Sequence, residues 1–262
     1  MASDNNDIVV SIESGIALVM LDRPAKRNAV SLAMWHRLAA IYRELSDRPE
    51  VRVAILAGAG GNFCAGADIS EFGEVRSTPD GVAAYEVAAD AATLAIRDWR
   101  GPTIAAVSGF AMGGGCGLAL ACDFRVADRS ARMGIPAARL GIVYGSLDCT
   151  LLHRQVGLAG AKRILFSGRP LSFDECIQIG LVDIPAADGA LEAAFDLAKG
   201  FVANAPLTLR GAKFILDAIA DGSIREKERD VADLVKRSFA SEDYREGRTA
   251  FMEKRPPRFE GR

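Results

Sequence analysis

An α/β fold that turns all-helical in its last third is predicted by three features of the chain. Strand-like and helix-like runs alternate between residues 8 and 126; a charge-free, glycine-rich stretch sits at the centre of that alternation; and from about residue 147 onward the apolar spacing is helical.

The alternation opens with apolar runs at 8–12 and 16–21 around Ser14-Gly15, the pattern of a hairpin, and Asp22-Arg23-Pro24 ends the second strand. From Ser31, apolar residues recur at Leu32, Trp35, Leu38, Ala39 and Tyr42, which is amphipathic-helix spacing that Pro49 stops. Residues 51–57 then read as a buried strand. Gly58-Ala59-Gly60-Gly61 follows, but the third glycine of a dinucleotide fingerprint would fall at Phe63, so a Rossmann reading fails. The loop continues through Asn62-Phe63-Cys64-Ala65-Gly66-Ala67-Asp68, a second glycine-bearing turn able to aim backbone N–H groups. Thr78-Pro79-Asp80 has the form of an N-cap with proline in the first turn, opening a helix to about Trp99.

Residues 101–126 form the apolar centre: a Gly-Pro turn, a β-branched run to Val107, the triplet Gly113-Gly114-Gly115, a short Leu/Ala helix and a strand from Phe124. Glycines admit positive φ and close approach, and a helix N-terminus behind them favours negative charge. Residues 102–122 carry no charge and are long enough to span a membrane, yet five glycines between Gly109 and Gly117 would each cost a helix about 1 kcal/mol. Helical segments follow at 147–156, 161–166, 172–179, 191–204, 207–219 and 224–239, with Ser172-Phe173-Asp174-Glu175 in capping-box spacing. No repeat, linker or low-complexity run divides the chain.

Composition narrows the function classes. With 32 basic and 34 acidic residues, and half the chain hydrophobic, net charge points to neither nucleic acid nor a membrane surface. The five cysteines, Cys64, Cys116, Cys122, Cys149 and Cys176, are odd in number and lack Cys-x-x-Cys spacing; they read as reduced core thiols, with no metal site, in a cytoplasmic protein. The polar start, Met1 to Asp7, shows neither a secretion signal nor a basic transit peptide.

The two glycine turns, Phe63-Cys64-Ala65-Gly66-Ala67-Asp68 and Ala105 through Cys116, closely resemble the enoyl-CoA hydratase/isomerase (crotonase) superfamily. Leu21-Asp22-Arg23-Pro24, Asn28-Ala29, Leu165-Phe166-Ser167-Gly168, Gly180-Leu181-Val182-Asp183 and Ser241 through Gly247 extend the match over nearly the whole chain. The resemblance implies a crotonase-like ββα spiral core over residues 1–200, carrying the acyl-CoA site, and a C-terminal helical trimerisation region over 201–262. It implies a coenzyme A thioester substrate in fatty acid metabolism, no cofactor beyond that coenzyme, and a homotrimer or dimer of trimers. Backbone N–H groups at Ala65 and Gly114 would form the oxyanion hole. Lys26, Arg27 and the Ala65-Gly66-Ala67-Asp68-Ile69 backbone would hold the coenzyme's adenine and phosphates, with Lys254 reaching in from a neighbouring subunit; plain solvated charge is the other reading of these side chains.

The chain departs from the family pattern where proton transfer is expected. The two hydratase glutamates map to Gly117 and Ala137, and the carboxylate of some isomerases and dehalogenases maps to Gly145. Positioned acid–base groups are worth about 10²–10⁴-fold each, so hydration should be poor. The stretch from Leu140 to Cys149 looks most like the methylmalonyl-CoA decarboxylase branch, whose tyrosine falls at Tyr144, although that branch's first-loop histidine corresponds to Ala67. Decarboxylation of a carboxyacyl-CoA is therefore the expected reaction, since loss of carbon dioxide supplies the enolate's electrons; a hydratase or isomerase using other groups, and a non-catalytic acyl-CoA-binding protein, are the alternatives. Tyr144 is either a proton donor or a packed aromatic, and Asp148 either a replacement acid–base group or a helix N-cap. Asp68 reads as a loop brace, and His36 and His153 as ordinary helix residues.

Overall fold

The computed structural model describes residues 7–187 and 189–262; the polar opening stretch, residues 1–6, lies outside them. Strands β1 (Ile8–Glu13) and β2 (Ile16–Leu21) form the expected hairpin, with Ser14 and Gly15 both at positive φ as a tight two-residue turn requires. A single 3-10 turn at Pro24–Lys26 leads to α1 (Leu32–Ser46), whose N-cap Ser31 accepts a hydrogen bond from the Met34 N–H. Then come β3 (Val53–Gly58), the short α2 (Phe72–Val75) and α3 (Pro79–Arg97), capped by Thr78 as its sequence predicts.

The charge-free centre resolves into β4 (Thr103–Val107), β5 (Phe110–Met112) and α4 (Gly114–Ala121). Among the described residues no helix is long and apolar enough to cross a membrane. There follow β6 (Phe124–Ala127), β7 (Arg132–Gly134), α5 (Ala137–Leu140), α6 (Ser146–Ser167), β8 (Leu171–Ser172), α7 (Phe173–Gln178) and β9 (Ile184–Pro185). The two helical segments expected at 147–156 and 161–166 are the halves of α6, which bends at Gly157, a residue outside the helical φ/ψ region. Ser172 and Glu175 complete the capping box of α7.

Six strands make one sheet in the order β1-β2-β3-β4-β6-β9, parallel from β2 onward; β5, β7 and β8 make a second, smaller sheet. Because side chains alternate along a strand, Val53, Ile55 and Ala57 of β3 face one side while Ala54 and Leu56 face the other. The first side packs on α8 (Ala190–Val202) through Ala190, Ala194 and Ala198, and the second on α1, α3 and α4, so the sheet is covered on both faces. Each fully buried Leu or Ile there contributes roughly 1.5–3 kcal/mol. The parallel strands all deliver their C-terminal ends to one edge of this sandwich, where the glycine turns lie.

Three further helices follow: α9 (Pro206–Asp221), α10 (Glu228–Ala240) and α11 (Glu242–Glu253). The last has no counterpart in the sequence-based expectation. Lys213 ties α9 to the sheet through Asp123 (2.8 Å), and Arg52 holds the Phe259 carbonyl at 2.6 Å. Four of the five cysteines are buried as expected, whereas Cys149 is partly exposed; all five are free thiols.

Candidate active site

The two glycine turns are stitched together by backbone hydrogen bonds. The Cys64 N–H donates to the Phe110 carbonyl (2.8 Å) and the Met112 N–H to the Cys64 carbonyl (2.9 Å), a parallel bridge that holds the first loop against β5. On its other side, the Val30 N–H donates to Gly66 (2.8 Å) and the Asp68 N–H to Val30 (2.9 Å). Gly66 has φ +100, and a Cβ there would stand 2.7 Å from the Met112 carbonyl oxygen; Gly113, at φ +53, turns the chain from β5 into α4. Both positions need glycine.

This stitching decides which amides remain free, and it corrects the expected assignment. The Ala65 N–H is consumed by the Arg27 carbonyl at 2.9 Å. Two residues on, the Ala67 N–H has no acceptor among the described residues, and neither has that of Gly114, the first residue of α4, where a helix leaves its N–H groups unpaired. The two free donors lie close together: a Cβ on Gly114 would be 4.0 Å from the Ala67 nitrogen, and one on Gly66 would be 3.6 Å from the Gly114 nitrogen. The pair is therefore Ala67 and Gly114. Trp35 backs Gly114, its indole N–H donating to the Tyr85 hydroxyl (2.8 Å), which in turn donates to the Val30 carbonyl (3.2 Å).

These donors open into a cavity of about 150 Å³, lined by Ala65, Gly66, Ala67 and Ile69 of the first loop, by α3, and by the segment from Pro136 to Asp148. Ala137 and Gly145 line it without supplying a polar side chain. Asp148 supplies one. It occupies the third position of α6, whose N-cap is Gly145, so the capping alternative does not hold. Its Oδ1 lies 2.9 Å from where a Cβ on Gly117 would be. Burial, reinforced by Asp90 and Glu86, pushes the Asp148 carboxyl up to about 6. Tyr144 packs against the core with its ring, yet its hydroxyl has no partner among the described residues and lies 3.9 Å from the Cβ position of Gly113. Burial, with the Asp148 charge next, raises that phenol well above its ordinary value. The tie to backbone that a merely packed tyrosine would make is absent among the described residues.

Several lining residues were not read as site residues in the sequence: Trp35 on α1, and Tyr85, Glu86, Asp90 and Thr93 on α3, with Arg76 just before it. Glu86 and Asp90 stand four apart on a helix that the capping signal at Thr78 announces, so their common face was readable from spacing. Arg76 lies over the rings of Phe72 (4.3 Å) and Tyr85 (4.0 Å) and pairs with Glu86 at 2.9 Å.

Outside the cavity, Lys26 donates to Asp68 (2.8 Å) and Ser70 (2.9 Å), and Arg23 to Asp68 (3.0 Å). Burial would raise the Asp68 carboxyl, but these donors together with the Ser70 N–H outweigh it and hold the group well below the usual carboxylate range. Asp68 is thus the loop brace that the sequence suggested. The Arg27 guanidinium lies 5.1 Å from the Phe110 ring centroid, and Ile69 is exposed. Lys254 is exposed at the end of α11, and within the chain nothing among the described residues brings it to these groups. His36 and His153 are exposed on α1 and α6, as read. A larger cleft of about 1160 Å³ lies beside α9 and α10, lined by charged side chains of both signs, and contains neither free amide.

The chain is similar to known proteins over nearly its whole length. The family description "Enoyl-CoA hydratase/isomerase" matches residues 11–262. The 2,3-dehydroadipyl-CoA hydratase of Escherichia coli is 33% identical over 258 residues, covering 98% of this chain and all of that protein. The short-chain-enoyl-CoA hydratase of Clostridium acetobutylicum is 32% identical, covering 95% and 96% of the two chains. Among solved structures, an enoyl-CoA hydratase/carnithine racemase from Magnetospirillum magneticum superposes with a TM-score of 0.93 at 34% identity, covering 98% of this chain and 96% of that one. An enoyl-CoA hydratase from Bacillus anthracis gives 0.91 at 30% identity, covering 98% and all of the respective chains.

Proposed function

The chain belongs to the enoyl-CoA hydratase/isomerase family, and on that premise we propose that it is an acyl-CoA enzyme whose proton chemistry runs through Asp148. The thioester carbonyl oxygen accepts hydrogen bonds from the Ala67 and Gly114 N–H groups. As an enolate forms, that oxygen gains charge, and each preorganised donor is worth about 2.7–4 kcal/mol in the transition state. In a hydration, the Asp148 carboxylate takes a proton from water as the water oxygen bonds to the β-carbon; the double-bond electrons move onto the thioester oxygen, and a proton then returns to the α-carbon. In an isomerisation, the same carboxylate takes a proton from one carbon and returns it to another.

The observation that carries this reading is the position of Asp148. Its oxygen fills the space beside Gly117, where hydratases of the family place a glutamate, and its raised pKa suits a group that must both take and give a proton near neutral pH. Mapping the family's glutamates onto the sequence left those positions without a carboxylate and Asp148 with two readings, which is why hydration looked unfavourable. The coenzyme's adenine and phosphates are assigned to the first loop and to Lys26 and Arg27. Exposed Phe239, Phe251 and Met252 on the C-terminal helices support their packing against further copies in a trimer or dimer of trimers, and the free thiols support a cytoplasmic setting.

A second reading, decarboxylation of a carboxyacyl-CoA with Tyr144 protonating the enolate, is favoured by the unpartnered Tyr144 hydroxyl lining the cavity. One assay separates the two. Crotonyl-, methylmalonyl- and ethylmalonyl-CoA are given to the parent, Asp148→Asn and Tyr144→Phe, with enoyl absorbance, thioester mass and carbon dioxide release followed. Hydration or isomerisation reduced about 10²–10⁴-fold by Asp148→Asn is expected. Carbon dioxide release that depends on Tyr144 and is indifferent to Asp148→Asn would replace the first reading with the second. Tight thioester binding with no turnover of any of the three would leave acyl-CoA binding alone.

A further inference from the structure

The two glycine turns share backbone hydrogen bonds at Cys64, but among the described residues no backbone bond runs directly between the segment holding Ala67 and the start of α4. A relay of side chains crosses that gap. The Trp35 ring lies against Gly114, its Cζ2 and Cη2 atoms 3.1 and 3.2 Å from where a Cβ would be, and its indole N–H donates to the Tyr85 hydroxyl at 2.8 Å. That hydroxyl donates to the Val30 carbonyl at 3.2 Å, the same oxygen that accepts the Asp68 N–H, and Val30 is the residue that bridges to Ala67. An indole N–H only donates and a carbonyl only accepts, so the relay runs in one direction and has no second arrangement. Trp35 and Tyr85 are 2% and 1% exposed, which keeps water from replacing either bond. Burial pushes the Tyr85 phenol up to about 12, so it keeps the proton that the bond to Val30 needs, and the Arg76 guanidinium 4.0 Å over its ring holds that ring in place.

We propose that Trp35 and Tyr85 are positioning residues, and that the relay from Gly114 through both side chains to Val30 sets the separation of the Ala67 and Gly114 amides. The inference rests on the reading of those amides as the donors to the thioester oxygen, but not on Asp148 chemistry. The indole N–H and the phenol O–H are each spent on a protein partner, so their effect on a thioester passes through the two amides. Donors stabilise a developing charge only where their distance and direction fit it, and a displacement of about 1 Å costs about 10²-fold in rate. Breaking the relay lets the start of α4 and the Val30 segment relax by a fraction of that distance, which weakens polarisation of the carbonyl and leaves the contacts to the coenzyme as they are.

Tyr85→Phe removes the hydroxyl and Trp35→Phe the indole N–H, each leaving an aromatic ring in place. Infrared difference spectra of butyryl-CoA, saturated and labelled at its carbonyl carbon, bound to the full-length protein read the polarisation without turnover. The parent is expected to shift the carbonyl stretch to lower frequency, and both variants to give a smaller shift. With crotonyl-CoA, kcat per folded enzyme should fall about tenfold in each variant while KM stays within about twofold, and the double variant should be no slower than the slower single, because either change breaks the same relay. Ile96→Val, a buried position further along α3, should lower the unfolding midpoint and leave the carbonyl shift and kcat as in the parent. Tyr85 and Trp35 variants that lose stability yet keep the parent's carbonyl shift would overturn the proposal, the pair then being packing alone. Absence of a downward shift in the parent would remove the donor pair and the relay together. Shifts that depend on the relay, beside turnover that Asp148→Asn leaves intact, would uphold the relay and remove only the reaction assigned to Asp148.

Discussion

Asp148 stands in the space that a side chain on Gly117 would enter: its Oδ1 is 2.9 Å from the Cβ position of that glycine, across the contact between α6 and α4. In the proposed reading, one site in space thus receives its carboxylate from a different helix than the family's usual pattern would provide.

The two positions should therefore be mutually exclusive. Gly117→Glu alone would press a second carboxylate against Asp148, and we expect both thermal stability and crotonyl-CoA turnover to fall. Adding Asp148→Gly should restore turnover to within about tenfold of the parent, a strongly non-additive pair. A Gly117→Glu single variant more active than the parent would show that the two side chains do not compete for the site.

Ionisation of Asp148 sets a pH dependence. A group that must accept a proton works as the carboxylate, and its value in the fold is about 6. kcat/KM should be level above about pH 7 and fall about tenfold per pH unit well below 6. The residual rate of Asp148→Asn should lack that limb. A limb near 4 in the parent would exclude Asp148 as the group being titrated.

The same ionisation has a cost in stability. A carboxyl raised from 3.8 to about 6 by folding destabilises the native state where it is charged, by up to about 3 kcal/mol. The sign follows from proton counts: between pH 4 and 6 the folded protein holds the extra proton, so stability falls across that interval as pH rises and the penalty is complete above it. Asp148→Asn should be more stable than the parent at pH 8 in urea titrations, and the difference should vanish near pH 4. A variant equally stable at both ends would contradict the burial penalty.

Backbone substitution separates Ala67 from Ala65. Replacing the amide N–H of Ala67 by an ester oxygen removes a donor with no partner in the resting protein, so kcat/KM should drop about 10²–10³-fold with little loss of stability. The same replacement at Ala65 breaks the bond to the Arg27 carbonyl and should lower the unfolding midpoint more than it lowers turnover of the folded fraction. Equal kinetic effects at both positions would return the donor to Ala65.

Much of this arrangement was readable beforehand, for identifiable reasons. The hairpin at Ser14-Gly15, the caps at Ser31 and Thr78, the capping box at Ser172 and the glycine triplet are local features, decided by residues within one turn of each other. The identity of the first unpaired amide, the donor proposed for the thioester oxygen, was not local. It depends on which of several neighbouring amides the Arg27 and Val30 carbonyls consume, and those lie more than thirty residues away in the chain. Strands β7, β8 and β9 are only two or three residues long and carry no periodicity to detect. Helix α11 escaped because its stretch is largely polar and only Asp243 and Ala250 are buried. For Asp148 two readings stood open, a replacement acid–base group and a helix cap, because an aspartate beside a helix start suits either; only the packing of α6 on α4 turns it toward the cavity.

The bridge between Cys64 and β5 bears on how such an enzyme can change through descent. The two unpaired N–H groups are held by other peptide groups, so side-chain replacements along α3 or α6 do not remove them, whereas Gly114→Pro at the start of α4 would remove one of them. The proposed acid, in contrast, is a single side chain that different helices can supply to one point in space. A lineage can therefore exchange its proton chemistry by point substitutions, each intermediate still able to hold and polarise a thioester while the new acid is found.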